Sequence, residues 1–259
     1  MSSSVLMINL NEHRLIDRWY IEEGINCIDY LAFPDGGIIF AFGTNTGKLL
    51  IRIDWEELPS AFECKSSVTS IKFSSDGYYM IASCIDGRVY LFAFSNGSYF
   101  QFPPRELAFE SEAVVDMALT DDNKILLLVG NKGTLYKIDL PELKYRTAVQ
   151  ESDRFSLKQL MLSQTSHDKP DRQEVSGITV MGNNLSYLVF AGAQGNLELW
   201  RQSSELDSGS ASVHSHHCGR INSMSVSQYQ NCIVTLGNLD GALIDWKGRL
   251  ASSSDLRRG

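Results

Sequence analysis

The 259-residue sequence has no apolar run long enough to cross a bilayer, so no membrane span is expected. Its start, Met1 to Leu10, lacks the basic opening and long apolar centre of a signal peptide. Cysteine is sparse. The five (Cys27, Cys64, Cys84, Cys218 and Cys232) are odd in number and irregularly spaced, unlike a disulfide framework. Cys84 and Cys232 fall in apolar runs, where a reduced, buried thiol is the common state. These absences point to a cytoplasmic, thiol-reduced protein. Positive charge is also short: 23 Lys and Arg against 31 Asp and Glu leave a net charge of −8. That argues against a general nucleic-acid binder, whose phosphate contacts need cations. It also makes long-range attraction an unlikely main force toward an acidic partner.

Recognisable catalytic motifs are missing too. There is no Gly-rich phosphate loop, no nucleophile elbow and no metalloprotease helix motif. The carboxylate pairs Glu56-Glu57 and Asp121-Asp122 read as solvated turn residues, with no His or Cys at a catalytic spacing. His214-Ser-His216-His217-Cys218 carries ligand-type side chains that could hold zinc or copper. The reading adopted places His217 in a structural role ahead of a strand and the rest in a loop. No catalytic residue, metal or cofactor is expected.

What the chain has is a repeated pattern. Residues 67–94 contain three short apolar runs, starting at Val68, Tyr79 and Val89 and separated by Asp76-Gly77 and Asp86-Gly87. β-rich runs joined by Asp-Gly signal antiparallel hairpins, because glycine tolerates the positive φ of such turns. Val68-Thr-Ser-Ile71-Lys-Phe73 is matched by the stretches starting at Ile28, Val114, Val175 and Ile221. A glycine follows each start by 19 or 20 positions: Gly47, Gly87, Gly133, Gly195 and Gly241. Each copy reads as three strands, with a fourth from the segment that follows. Repetition on this scale marks stacked or circular architectures, and four short antiparallel strands per unit make a propeller blade.

The expected fold is therefore all-β, a single propeller domain over residues 1–259. About five four-stranded blades, near 24–62, 63–108, 109–148, 172–206 and 214–250, follow a partial unit over 1–23 that reads as a hairpin. Residues 145–174 read as a polar insertion and 203–212 as a flexible loop, being rich in Ser, Asp and other polar residues. The leftover hairpin leaves three arrangements open. The ring closes irregularly, the chain is a segment of a larger propeller, or a partner covers the open faces.

The units resemble WD-repeat propellers, whose third strand follows Asp-Gly and ends near Trp-Asp. The match is seen in Asp86-Gly87 to Phe92, Gln194-Gly195 to Trp200 and Asp240-Gly241 to Trp246. The resemblance implies a blade-stiffening network of His217, Thr235, Asp240 and Trp246. At the corresponding histidine place the other copies carry Gly24, Cys64, Glu110 and Asp171, so they are expected to rely on apolar packing. Residues 73–82 and 235–246 look like the repeats of EMAP-like microtubule-associated proteins and of cilia-associated WD-repeat proteins. The resemblance implies a non-enzymatic protein-interaction scaffold in the cytoplasm, on the cytoskeleton or in cilia. Tubulin or another cytoskeletal protein is the partner it implies, with no nucleic acid and no membrane. Further propeller strands, from a longer chain or a partner, are the other implied contact. Tyr99 and Phe102, near the outer rim, are the candidate interface residues, with structural packing as the competing reading, which also applies to Trp19 and Trp55. Two other functions stay open: a segment that completes a larger propeller, and a propeller-fold enzyme.

Overall fold

A computed structural model describes residues 3–9, 11–33, 36–53, 56–57, 62–93, 104–108, 112–120, 122–131, 134–140, 154–156, 175–181, 187–192, 195–202, 209–215, 217–227, 232–240 and 243–245. The described structure is all-β, built from antiparallel sheets whose strands follow chain order. The chain divides into two compact units, Met1–Val114 and Val115–Gly259.

The first unit opens with a two-stranded hairpin, β1 (Ser3–Asn9) and β2 (Arg14–Ile21). Next come β3 (Ile25–Ala32), β4 (Ile38–Thr44) and β5 (Lys48–Ile53). Two short strands, β6 (Glu56–Glu57) and β7 (Phe62–Glu63), both pair with β5. Glu56-Glu57 thus lies in a strand, not a turn. β8 (Val68–Phe73), β9 (Tyr79–Cys84), β10 (Arg88–Ala93) and β11 (Arg105–Ala108) form a four-stranded sheet. In the second unit β12 (Val114–Leu119), β13 (Ile125–Gly130), β14 (Thr134–Asp139) and β15 (Arg154–Ser156) make one such sheet. β16 (Val175–Met181), β17 (Tyr187–Gly192), β18 (Asn196–Gln202) and β19 (Gly209–Ser215) make another. β20 (Ile221–Ser227), β21 (Cys232–Gly237) and β22 (Leu243–Asp245) complete the described strands.

Two corrections follow from these pairings. β15 lies inside the stretch read as an insertion, and β19 begins inside the stretch read as a flexible loop. Both are fourth strands, paired on one side only among the described residues. An outer strand needs only main-chain partners, so polar composition does not disqualify it. The second correction concerns the first copy. A β-bulge recurs at the start of the first strand in four sheets, between Ile25 and Cys27, Val68 and Ser70, Val175 and Gly177, and Ile221 and Ser223. Ile25, not Ile28, is therefore the equivalent of Val68. The reading slipped by three residues because Ile28 is also β-branched and begins an apolar alternation, yet it is half exposed.

Within each unit the sheets bury their faces on one another. Leu31, Ile39, Ala41 and Ile51 of one sheet share a core with Val68, Ile71, Met80, Ala82 and Phe92 of the next. In the second unit, Leu127 and Leu135 pack with Ile178, Leu188 and Phe190, and Val189 and Leu199 with Ile221 and Ile233. Each large side chain so buried contributes about 1.5–3 kcal/mol. The β1–β2 hairpin packs Val5, Trp19 and Ile21 against Phe40, Phe42 and Leu50.

Candidate functional site

The three described turn glycines, Gly47, Gly87 and Gly195, have φ of +96°, +83° and +88°. An L side chain is strained there, whereas glycine is not. At Gly195 an added Cβ would also lie 2.8 Å from the Gly219 carbonyl oxygen. Gly133 and Gly241 lie outside the described residues.

The Gly195 turn touches the segment that carries His217, whose backbone N–H donates to the Gly195 carbonyl at 3.3 Å. His217 is buried between this turn and the last sheet. Its Nε2 lies 2.8 Å from Thr235 Oγ1 on β21, and its Nδ1 lies 3.0 Å from Asp240 Oδ2 in the turn after β21. The same Asp240 oxygen accepts the Cys218 N–H at 3.0 Å. The structure thus brings together His217, Thr235 and Asp240; Trp246 lies outside the described residues. Gly237, which the sequence reading missed, lets these groups approach. A Cβ there would sit 2.5 Å from His217 Nδ1 and on the Asp240 carboxylate.

This arrangement does structural work. Both ring nitrogens of His217 are engaged within the protein, so neither is presented to a metal or substrate. The His214 side chain and all of His216 fall outside the described residues. Among the described residues no three His, Cys, Asp or Glu side chains cluster as a metal site would require.

The equivalent place in the first unit is held by Cys64, whose N–H donates to the Gly47 carbonyl at 2.8 Å, as His217 does to Gly195. Cys64 is buried and free, with Cys84 behind it. The neighbouring Cys84 thiol and burial push the Cys64 thiol up, keeping it protonated. With the corrected frame, Ile21 rather than Gly24 occupies the histidine place of the first copy. Gly24 instead accepts the Asn45 N–H, as Ser67 accepts from Ile85 and Arg220 from Asn238. Glu110 and Asp171 lie outside the described residues.

Polar ties between neighbouring sheets form a second repeated device, which the sequence reading also missed. Asn26 Nδ2 donates to the Val68 carbonyl at 3.1 Å, and Ser176 Oγ donates to the Ile221 carbonyl at 2.7 Å. Each donor directly follows the first residue of its strand. Asp29 Oδ2 accepts the Phe73 N–H at 2.8 Å, and Asp116 Oδ2 accepts the Ile178 N–H at 3.1 Å. Burial pushes the Asp29 carboxyl up, against the opposing effects of Lys72 and the Phe73 N–H.

Several other described acids serve turns and ion pairs. Asp122 accepts from Thr120 Oγ1 at 2.6 Å and from the Lys124 N–H; Asp121 is outside the described residues. Asp76 accepts from Ser74 Oγ at 2.6 Å in the equivalent turn. Arg88 pairs with Asp86 and Glu106. Tyr99, Phe102 and Trp55 lie outside the described residues, whereas Trp19 is buried against Phe40 and Phe42 at ring distances of 5.1 and 5.8 Å.

No curated protein matches the chain. Residues 57–92, which span β7 to β10 and the Cys64 place, match the family model described as WD domain, G-beta repeat. The chain therefore carries a WD40 repeat at residues 57–92, which supports a WD-repeat family for it.

Proposed function

We propose that this chain is a non-enzymatic scaffold that holds other proteins on the rigid surfaces of its repeated sheets. The WD40 repeat at residues 57–92 carries this reading, because such repeats generally mediate protein–protein interaction. The bonded polar groups of the site support it. His217, Asp29 and Asp116 are spent on holding strands in place rather than on a reacting molecule. Fold alone does not dictate function, so the test is one of binding. Proximity labelling by the full chain in cells, against an unrelated propeller as control, is expected to mark a reproducible set of proteins. No enrichment above that control would refute the scaffold reading.

A narrower form places the scaffold in the cytoplasm, on microtubules or in cilia. Its support is the likeness of residues 73–82 and 235–246 to EMAP-like and cilia-associated repeats. Co-pelleting with polymerised tubulin tests it, and no pelleting above the control propeller would remove it while leaving the general scaffold.

A further inference from the structure

Cys64 lies where two sheets of the first unit meet. It directly follows β7, whose Phe62 and Glu63 pair with Leu49 and Lys48 of β5, and its N–H donates to the Gly47 carbonyl beside the same strand. Four residues later Val68 begins β8 of the next sheet, opposite Cys84 at the end of β9. Cys64 is thus held by one sheet and Cys84 by the other. Both are buried in one apolar cluster, and their thiols share a hydrogen bond.

The last sheet shows why these two side chains meet. Ile221 pairs with Gly237 there as Val68 pairs with Cys84, so Cys84 stands at the Gly237 place and Cys64 at the His217 place. A Cβ at Gly237 would come 2.5 Å from His217 Nδ1, so a side chain at that place is aimed at the residue of the histidine place. Ala82 stands where Thr235 stands, paired with Ile71 as Thr235 is with Met224. The polar network cannot form in this sheet, and two thiols fill the space instead. Cys27, half-buried, packs against the same cluster. A Cβ at Gly43, its partner on β4, would come 2.6 Å from Cys27 Sγ and 2.6 Å from Val68 Cγ1.

We infer that Cys64 and Cys84 are a reversible redox fastener, which a small-molecule disulfide oxidises to one disulfide bond that staples the two sheets together. In the resting protein both thiols are buried, and a buried thiol is a poor nucleophile. Exchange therefore waits for a local opening. β7 is the element to open, because only two residue pairs hold it to β5. Once presented, the Cys64 sulfur gives up its proton and attacks the S–S bond of the reagent. A mixed disulfide forms, and the first small thiol leaves with that proton. The Cys84 sulfur then loses its proton, attacks the Cys64 sulfur and expels the second small thiol. Two protein thiols lose two electrons and two protons, and one reagent disulfide becomes two thiols. Excess small thiol runs the exchange backwards. The bond then does for these two sheets what His217 does between the Gly195 turn and the last sheet. The inference does not depend on what the scaffold holds.

The test treats the full chain with oxidised glutathione, blocks free thiols with N-ethylmaleimide and maps the tryptic peptides. The peptides carrying Cys64 and Cys84 should be recovered joined, and separate after dithiothreitol. The oxidised chain should melt about 5–10 °C higher in the transition that includes the first unit. Cys27→Ser should keep both results, whereas Cys84→Ser should lose both. Each variant is read as its shift on oxidation against its own reduced form, and the peptide map of the parent does not depend on Cys84→Ser folding. Free Cys64 and Cys84 in the folded chain, under conditions that oxidise the urea-unfolded chain, would overturn the inference. So would a lasting glutathione adduct on either, a bond from either to Cys27, or a joined pair with no rise in melting temperature.

Discussion

Replacing His217 with alanine removes an imidazole that is buried and bonded at both nitrogens. The bond to Thr235 is worth about 1 kcal/mol and the bond to the Asp240 carboxylate about 1.5–3 kcal/mol. Lost packing adds roughly 1 kcal/mol, so a destabilisation of about 4 kcal/mol is expected if the site does not relax. At about 2–4 °C per kcal/mol for a chain of this size, the transition that includes the second unit should fall by roughly 8–16 °C. Urea unfolding followed by the loss of β signal measures it. A double-mutant cycle with Asp240→Ala should give a coupling of about 1 kcal/mol or more, because the two side chains share a bond. A His217→Ala change below about 0.5 kcal/mol, or strictly additive single effects, would refute the claim that this network holds the sheet.

Gly195→Ala should cost about 2 kcal/mol or more in the same assay, from positive-φ strain of about 1–2 kcal/mol and contact with the Gly219 carbonyl. Phe92→Ala should cost about 3–5 kcal/mol, since Phe92 is fully buried, whereas Tyr78→Ala, at an exposed position, should stay within about 0.5 kcal/mol. Asp29 sets a pH dependence. Burial raises its folded-state pKa above the ordinary aspartate value, so the native state binds that proton more tightly than the unfolded chain does. Its contribution therefore favours folding most at pH below the ordinary aspartate value and is lost as pH rises through the folded value. Asp29→Asn, which keeps an acceptor for the Phe73 N–H, should match or exceed the parent stability at pH 7 and lose that advantage on acidification. Asp29→Ala should be less stable than either at pH 7, by about 1–3 kcal/mol.

Much of this fold was legible because glycine and β-branched residues act locally. Asp-Gly fixes a turn wherever it sits, so the β9–β10 hairpin could be read directly from residues 79–93. The network was legible only through the resemblance to WD-repeat propellers, in which His217 stands four residues before Ile221, with Thr235 and Asp240 ahead of a glycine. The outer strands were not, because Arg154–Ser156 and Gly209–Ser215 are held by main-chain pairing, which leaves no apolar pattern. The frame of the first copy was lost for the opposite reason. Ile28 and Tyr30 alternate like core residues, but nothing in the sequence tells a face that is covered from one left open. The ties made by Asn26 and Ser176 are likewise contacts between sheets, which no local pattern encodes.

The claim beneath these readings is that one strand frame repeats from sheet to sheet, starting at Ile25, Val68, Val175 and Ile221. Cross-strand nuclear Overhauser contacts in the labelled full chain measure it directly. The predicted result is pairing of Ile25 with Thr44, Val68 with Cys84, Val175 with Gly192 and Ile221 with Gly237, with an irregularity after each first residue. Pairing of Ile28 with Thr44, or loss of the irregularity in any of the four, would contradict it.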